Sequence, residues 1–119
     1  MTLSSPLGAQ TFSDAHADYQ AQNYGSAFKK FKVLAEQNDA QAQGLLAYMY
    51  LNGEGTAKNG REAVKWYKKS AAGDFYFAHI NLGNLYASGD FVPQSLMKAS
   101  FHYKKCADLL SGYSSQKSL

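Results

Sequence analysis

The sequence predicts an all-α fold, a short α-α solenoid of about six helices in three antiparallel pairs. Three observations carry this. The chain repeats itself without a gap at a shift of 36 residues: Ala42 falls on Ala78, Leu46 on Leu82, Tyr50 on Tyr86 and Gly53 on Gly89, then Ala63 on Ala99, Tyr67 on Tyr103, Lys68 on Lys104 and Ala71 on Ala107. A fixed period of this length marks stacked supersecondary units. Within a unit the apolar residues keep helical spacing, as in Ala63, Trp66, Tyr67, Ser70 and Ala71 or in Ala42, Leu46, Met49 and Tyr50. Finally, Asn23, Asn59 and Ser95 recur at the same interval before the second helix of each pair, and both residue types favour N-caps.

The elements follow in order. Helices are expected near 11–21, 24–37, 40–52, 59–72, 76–88 and 95–111. From Tyr19 to Ala27 is eight residues but from Tyr50 to Ala63 is thirteen, so the first pair has a tight turn and the later pairs a loop. Asn59 with Glu62 resembles a capping box, and Asp39 and Asp74 suit the starts of the third and fifth helices. Gly73 fits a position just past the fourth helix. Gly53, Gly55 and Gly60 fall in the middle loop, where positive φ costs little only for glycine. This divides the chain into a flexible 1–10, a helix pair over 11–39, repeats over 40–75 and 76–111, and a polar, disordered tail over 112–119.

Composition bounds the function. A chain of 119 residues has room for one domain with a modest core. A net charge of +3 is too mild to argue for nucleic acid. Single Cys106 cannot form an internal disulfide. No apolar run is long enough to cross a membrane. The first ten residues have neither a basic nor an apolar signal region, so the expected compartment is the cytoplasm, or the periplasm if a signal has been removed.

Signals for chemistry are weak. Gly55 and Gly60 have P-loop spacing, but Arg61 and Glu62 stand where Lys and Ser or Thr are required. His16, His79 and His102 form no metal motif, and an enzyme would require His79 and His102 to converge with a carboxylate in a cleft. His102 takes the slot of Trp66 and Cys106 that of Ser70, both read as packing positions. Lysines along the second helices, Lys32, Lys68 and Lys104 among them, suit a solvated outer face. No cofactor, metal or catalytic residue is expected.

The repeat resembles the Sel1-like repeat, a relative of the tetratricopeptide repeat. The middle unit matches with Ala42, Leu46, Tyr50, Gly53, Gly55, Ala63, Trp66, Tyr67, Ala71 and Ala72. The last unit matches with Ala78, Leu82, Gly83, Tyr86, Gly89, Ala99, Tyr103 and Ala107. Ala47, Phe91 and His102 depart from the family's Gly, Gly and Trp. The first pair is closer to an ordinary tetratricopeptide unit. The resemblance implies a non-enzymatic adaptor or scaffold whose first helices line a concave, partner-binding face. The alternative it implies is an immunity-type inhibitor of a cognate bacterial toxin; an enzyme or nucleic-acid binder ranks below both.

Residues not spent on the repeat form one stripe per first helix: Gln41, Leu45, Tyr48, Met49 and Asn52, then Phe77, Asn81, Asn84, Leu85 and Ser88. These are the candidate partner-binding residues for a protein or peptide, with Asp14 and Asp18 as an acidic end. Leu45, Met49 and Leu85 equally suit the core. Leu109 and Leu110 suggest either a cap or weak dimerisation through the last helix.

Overall fold

The computed structural model describes residues 11–118, with side chains for 11–112. Among these residues there are six helices and no strand: α1 (Phe12–Gln20), α2 (Tyr24–Glu36), α3 (Ala40–Asn52), α4 (Gly60–Ala72), α5 (Tyr76–Ser88) and α6 (Leu96–Ser118). Each helix packs on the next, so α1/α2, α3/α4 and α5/α6 form three stacked hairpins. The flexible start expected at 1–10 lies outside the described residues.

One hydrophobic core runs through the stack. Ala27, Ala42, Ala63 and Ala78 are fully buried and let helix axes approach, while Phe31, Leu46, Tyr67 and Leu82 fill the space between them. The repeated loops close by one repeated hydrogen bond. Asn59 N–H donates to the Tyr50 carbonyl at 2.9 Å, and Ser95 N–H donates to that of Tyr86 at 2.9 Å. Gly53 and Gly89 end α3 and α5 with φ of 70° and 77°. Gly55 has φ of 75°, and a β-carbon there would collide with the Tyr24 carbonyl.

Several expectations need correction. Gly60 is the first residue of α4 without positive φ, and its missing side chain makes room for the Phe91 ring. Phe91, at the second loop-glycine position, has φ of 61°, a conformation costly for an aromatic residue. Gly73 has φ of −90°; Asp74 takes the left-handed conformation instead, with φ of 59°, and Phe75 is the N-cap of α5. Asn59 and Asp39 cap as expected, accepting from Glu62 N–H and Ala42 N–H. Ser95 accepts from Lys98 N–H. Asn23 makes no side-chain cap. Finally, α6 reaches Ser118 rather than ending at 111 before a disordered tail, because no proline interrupts it and only Gly112 weakens it.

Candidate functional site

The first helices α1, α3 and α5 differ from the second helices in charge. Every lysine and arginine except Lys58 lies on α2, α4 or α6. Helices α3 and α5 carry no Asp, Glu, Lys or Arg, and α1 carries only Asp14 and Asp18 among those types. The basic side chains are held along the second helices, where Lys65 and Lys69 lie over the Trp66 ring at 5.4 and 4.8 Å.

Of the ten stripe residues, Gln41, Asn52, Asn84 and Ser88 are exposed, and Leu45, Tyr48, Phe77 and Asn81 are half-buried. Met49 and Leu85 are core residues, 0% and 7% exposed, so neither is available to a partner. They fall one position away from the exposed edge of each helix, so the apolar spacing that marked them belongs to the core. Tyr48 and Phe77 join α3 to α5 through an edge-on ring contact at 5.6 Å. Two amides are turned back on their own helices: Asn52 Nδ2 donates to the Tyr48 carbonyl at 3.0 Å, and Asn81 Nδ2 to that of Phe77 at 2.7 Å. Each leaves its side-chain oxygen without a donor among the described residues. Asn84 Oδ1 accepts from the Tyr103 hydroxyl at 2.6 Å.

The acidic end is differently used. Asp14 completes a capping box with Thr11, and hydrogen bonds from the Thr11 backbone and hydroxyl hold its carboxyl below the usual range. Asp18 pairs with Lys30 at 2.7 Å and accepts from Ser26 at 2.6 Å, in that order lowering its pKa. The carboxylate that does reach the first-helix face is Glu54, in the loop after α3. It accepts from the Tyr19 hydroxyl at 2.9 and 3.1 Å. Burial first, and that carboxylate second, push the Tyr19 phenol up. Glu54 escaped the sequence reading, although the 36-residue shift sets it against Asp90, a second acid in the same loop position.

Tyr67 presents an unusual group. Its side chain is fully buried, yet its hydroxyl has no hydrogen-bond partner among the described residues. Its ring lies 6.4 Å from that of Phe77, and the phenols acting on it are those of Tyr48 and Tyr19. Burial pushes its pKa up.

A second cluster joins α5 to α6. His79 Nδ1 and His102 Nδ1 lie 3.0 Å apart, and His79 Nε2 lies 3.4 Å from Asp74 Oδ1. The carboxylate places the His79 proton on Nε2, so His102 donates from Nδ1 to the lone pair of His79. A cavity of about 290 Å³ opens beside them, lined also by Lys68, Leu82, Phe101 and Lys105. Thus the two histidines do converge with a carboxylate in a cleft, which their sequence separation did not suggest. The same contact exists one unit earlier: Gln43 Nε2 donates to Asn38 Oδ1 at 3.4 Å, and the 36-residue shift carries Gln43 to His79 and Asn38 to Asp74. His102 stacks on Tyr86 at 5.7 Å with 4° between planes. Burial, then His79, lowers the His102 pKa. Among the described residues no group of three or more side chains could hold a metal ion, and no helix is long and apolar enough to cross a membrane.

A stack of three helix hairpins defines an all-α solenoid. The chain belongs to the Sel1 repeat family, whose model matches residues 40–75 and 77–109. It is similar to a Sel1 repeat protein from Oxalobacter formigenes, with 30% identity and a TM-score of 0.78 over 83% of this chain and 41% of that one. It is also similar to a protective antigen of uropathogenic Escherichia coli strains displaying an SLR fold, with 26% identity and a TM-score of 0.70 over 82% of this chain and 23% of that one. This chain therefore spans under half the length of either relative. Sel1 repeats generally serve as protein-interaction modules.

Proposed function

We propose that this protein is a non-enzymatic interaction module whose first-helix face, the concave side of the solenoid, holds a protein or peptide. The observation that carries the reading is the continuous surface from Tyr19 through Tyr48 to Phe77, which joins three hairpins and is lined by polar groups with unused acceptors. Half-buried aromatics beside free amide oxygens suit an extended backbone and its side chains. The histidine cluster supports a packing role more than a catalytic one, because Gln43 and Asn38 make the same contact where no imidazole exists. No residue lining its cavity carries a hydroxyl or thiol nucleophile. The test is calorimetry against the gene-neighbourhood partner: Tyr48→Ala with Asn52→Ala abolishes binding, whereas unchanged affinity rejects the face. If that partner is a toxin, the module is an inhibitor.

A second reading concerns self-association through α6. The last hairpin repeats the stacking surface of the one before it, and among the described residues Tyr103 is 39% exposed where Tyr67 is 0%. Leu96 and Met97 are exposed on the same helix. Light scattering tests it: a dimer that Leu110→Glu converts to monomer supports the contact, and a monomer at all concentrations rejects it.

A further inference from the structure

We propose that the partner segment is basic, and that one of its lysine or arginine side chains is held against Tyr19 and Tyr48 beside Glu54, with the Tyr67 oxygen as a further acceptor. This rests on the first-helix reading above and adds the chemistry of the occupant. Charge segregation is the first argument. The first helices carry no lysine or arginine, and Lys58, in the loop that also carries Glu54, is the one such residue off the second helices. A cationic partner is repelled by the second helices and admitted by the first ones, which fixes the side it approaches.

The second argument is the local chemistry. Among the described residues Glu54 is bonded through the Tyr19 hydroxyl alone, which leaves its remaining lone pairs available. Asp90 supplies a second carboxylate in the corresponding loop, bonded by Ser88 at 3.0 Å. Tyr19 and Tyr48 offer ring faces, which attract cations most strongly where water is partly excluded. The amide oxygens of Asn52 and Asn81 face no donor among the described residues, their nitrogens being occupied.

The third argument is independent of charge. A fully buried hydroxyl without a partner costs free energy, and such groups accumulate where a ligand completes them. The Tyr67 ring lies 6.4 Å from that of Phe77, which lies 5.6 Å from that of Tyr48, so the orphaned hydroxyl belongs to the aromatic cluster that forms the proposed seat. A phenolic oxygen accepts from an ammonium or guanidinium; its hydroxyl can also donate to a carboxylate, and it is the Glu54 charge on this face that disfavours an anionic occupant.

The experiment pans a phage library of random peptides against the full chain and measures enriched peptides by fluorescence anisotropy. Enriched sequences are expected to carry Lys or Arg, to lose about tenfold or more in affinity with Glu54→Gln, and to weaken with Tyr67→Phe. Lys68→Gln on α4 leaves them unchanged or slightly tighter. Neutral or acidic peptides that Tyr48→Ala displaces overturn the charge of the occupant and leave the first-helix face standing. Peptides insensitive to Tyr48→Ala, or no enrichment, overturn both. Circular dichroism melts of each variant separate lost binding from lost folding.

Discussion

The Tyr103 hydroxyl donates to Asn84 Oδ1 at 2.6 Å, whereas Tyr67, its counterpart 36 residues earlier, has no such acceptor because Tyr48 occupies the position of Asn84. One repeat slot is thus satisfied on the surface and orphaned in the core. Removing the orphan relieves its desolvation. Tyr67→Phe is expected to raise stability by about 1 kcal/mol, read as a shift in urea midpoint at constant slope. The same variant is expected to bind basic peptides less well, so stability and affinity move in opposite directions.

Gly83 lies under the Tyr103 ring, and a β-carbon there would sit 2.6 Å from the ring. Gly83→Ala is expected to cost about 1–3 kcal/mol by forcing the ring off its seat and lengthening the bond to Asn84. The 36-residue shift places Ala47 at this position, fully buried, so the Tyr67 hairpin already accommodates what the Tyr103 hairpin does not. Thermal melts with Ala47→Gly as the reverse variant check this.

Capping distinguishes two residues that look alike in sequence. Asn59 accepts from Glu62 N–H at 3.1 Å, and Asn23 caps nothing. Asn59→Ala is expected to cost about 1 kcal/mol and Asn23→Ala close to nothing, by chemical denaturation. A tight turn separates α1 from α2, and in it Gln22, at φ of 64°, redirects the chain before Asn23 can adopt cap geometry.

The histidine pair makes stability depend on pH. Burial and His79 depress the His102 pKa below 6.5, so the unfolded chain takes up a proton more readily than the folded one. The stabilisation is present above the ordinary histidine range and is lost as pH falls through it. Asp74, Lys105 and Lys68 are the charged groups around the pair, with Lys105 4.0 Å from Asp74. The drop in urea midpoint from about pH 7.5 to pH 5 is expected to shrink in His102→Gln.

What was legible in the sequence was whatever the period repeats. Leu46 with Leu82, Gly53 with Gly89 and Asn59 with Ser95 fixed the hairpins and loops because each pair meets the same neighbours. Site residues were less legible because a stripe at helical spacing has two edges. Met49 falls on the buried edge and Asn52, three residues on, on the exposed one. Substitutions inside a repeated contact were hidden altogether. His79 facing Asp74 becomes visible only when Gln43 facing Asn38 is known to be a bond. Glu54 lies in a loop between two left-handed glycines, where helical periodicity carries no information.

The paired loop bonds, Asn59 to Tyr50 and Ser95 to Tyr86, have an evolutionary consequence. Each loop is closed within its own hairpin, and Ser70 ties the end of α4 back to the Ala40 carbonyl of that hairpin at 2.6 Å. A stretch such as 40–75 is therefore a cassette that carries its own donors and acceptors. Duplicating it in frame adds a unit whose loop closure and Ser70 tie are already in place, and what has to be matched is the seam to the next hairpin, with its polar contacts such as Gln43 Nε2 to the Ala35 carbonyl. Length in such a protein can change by recombination without first inventing a new fold.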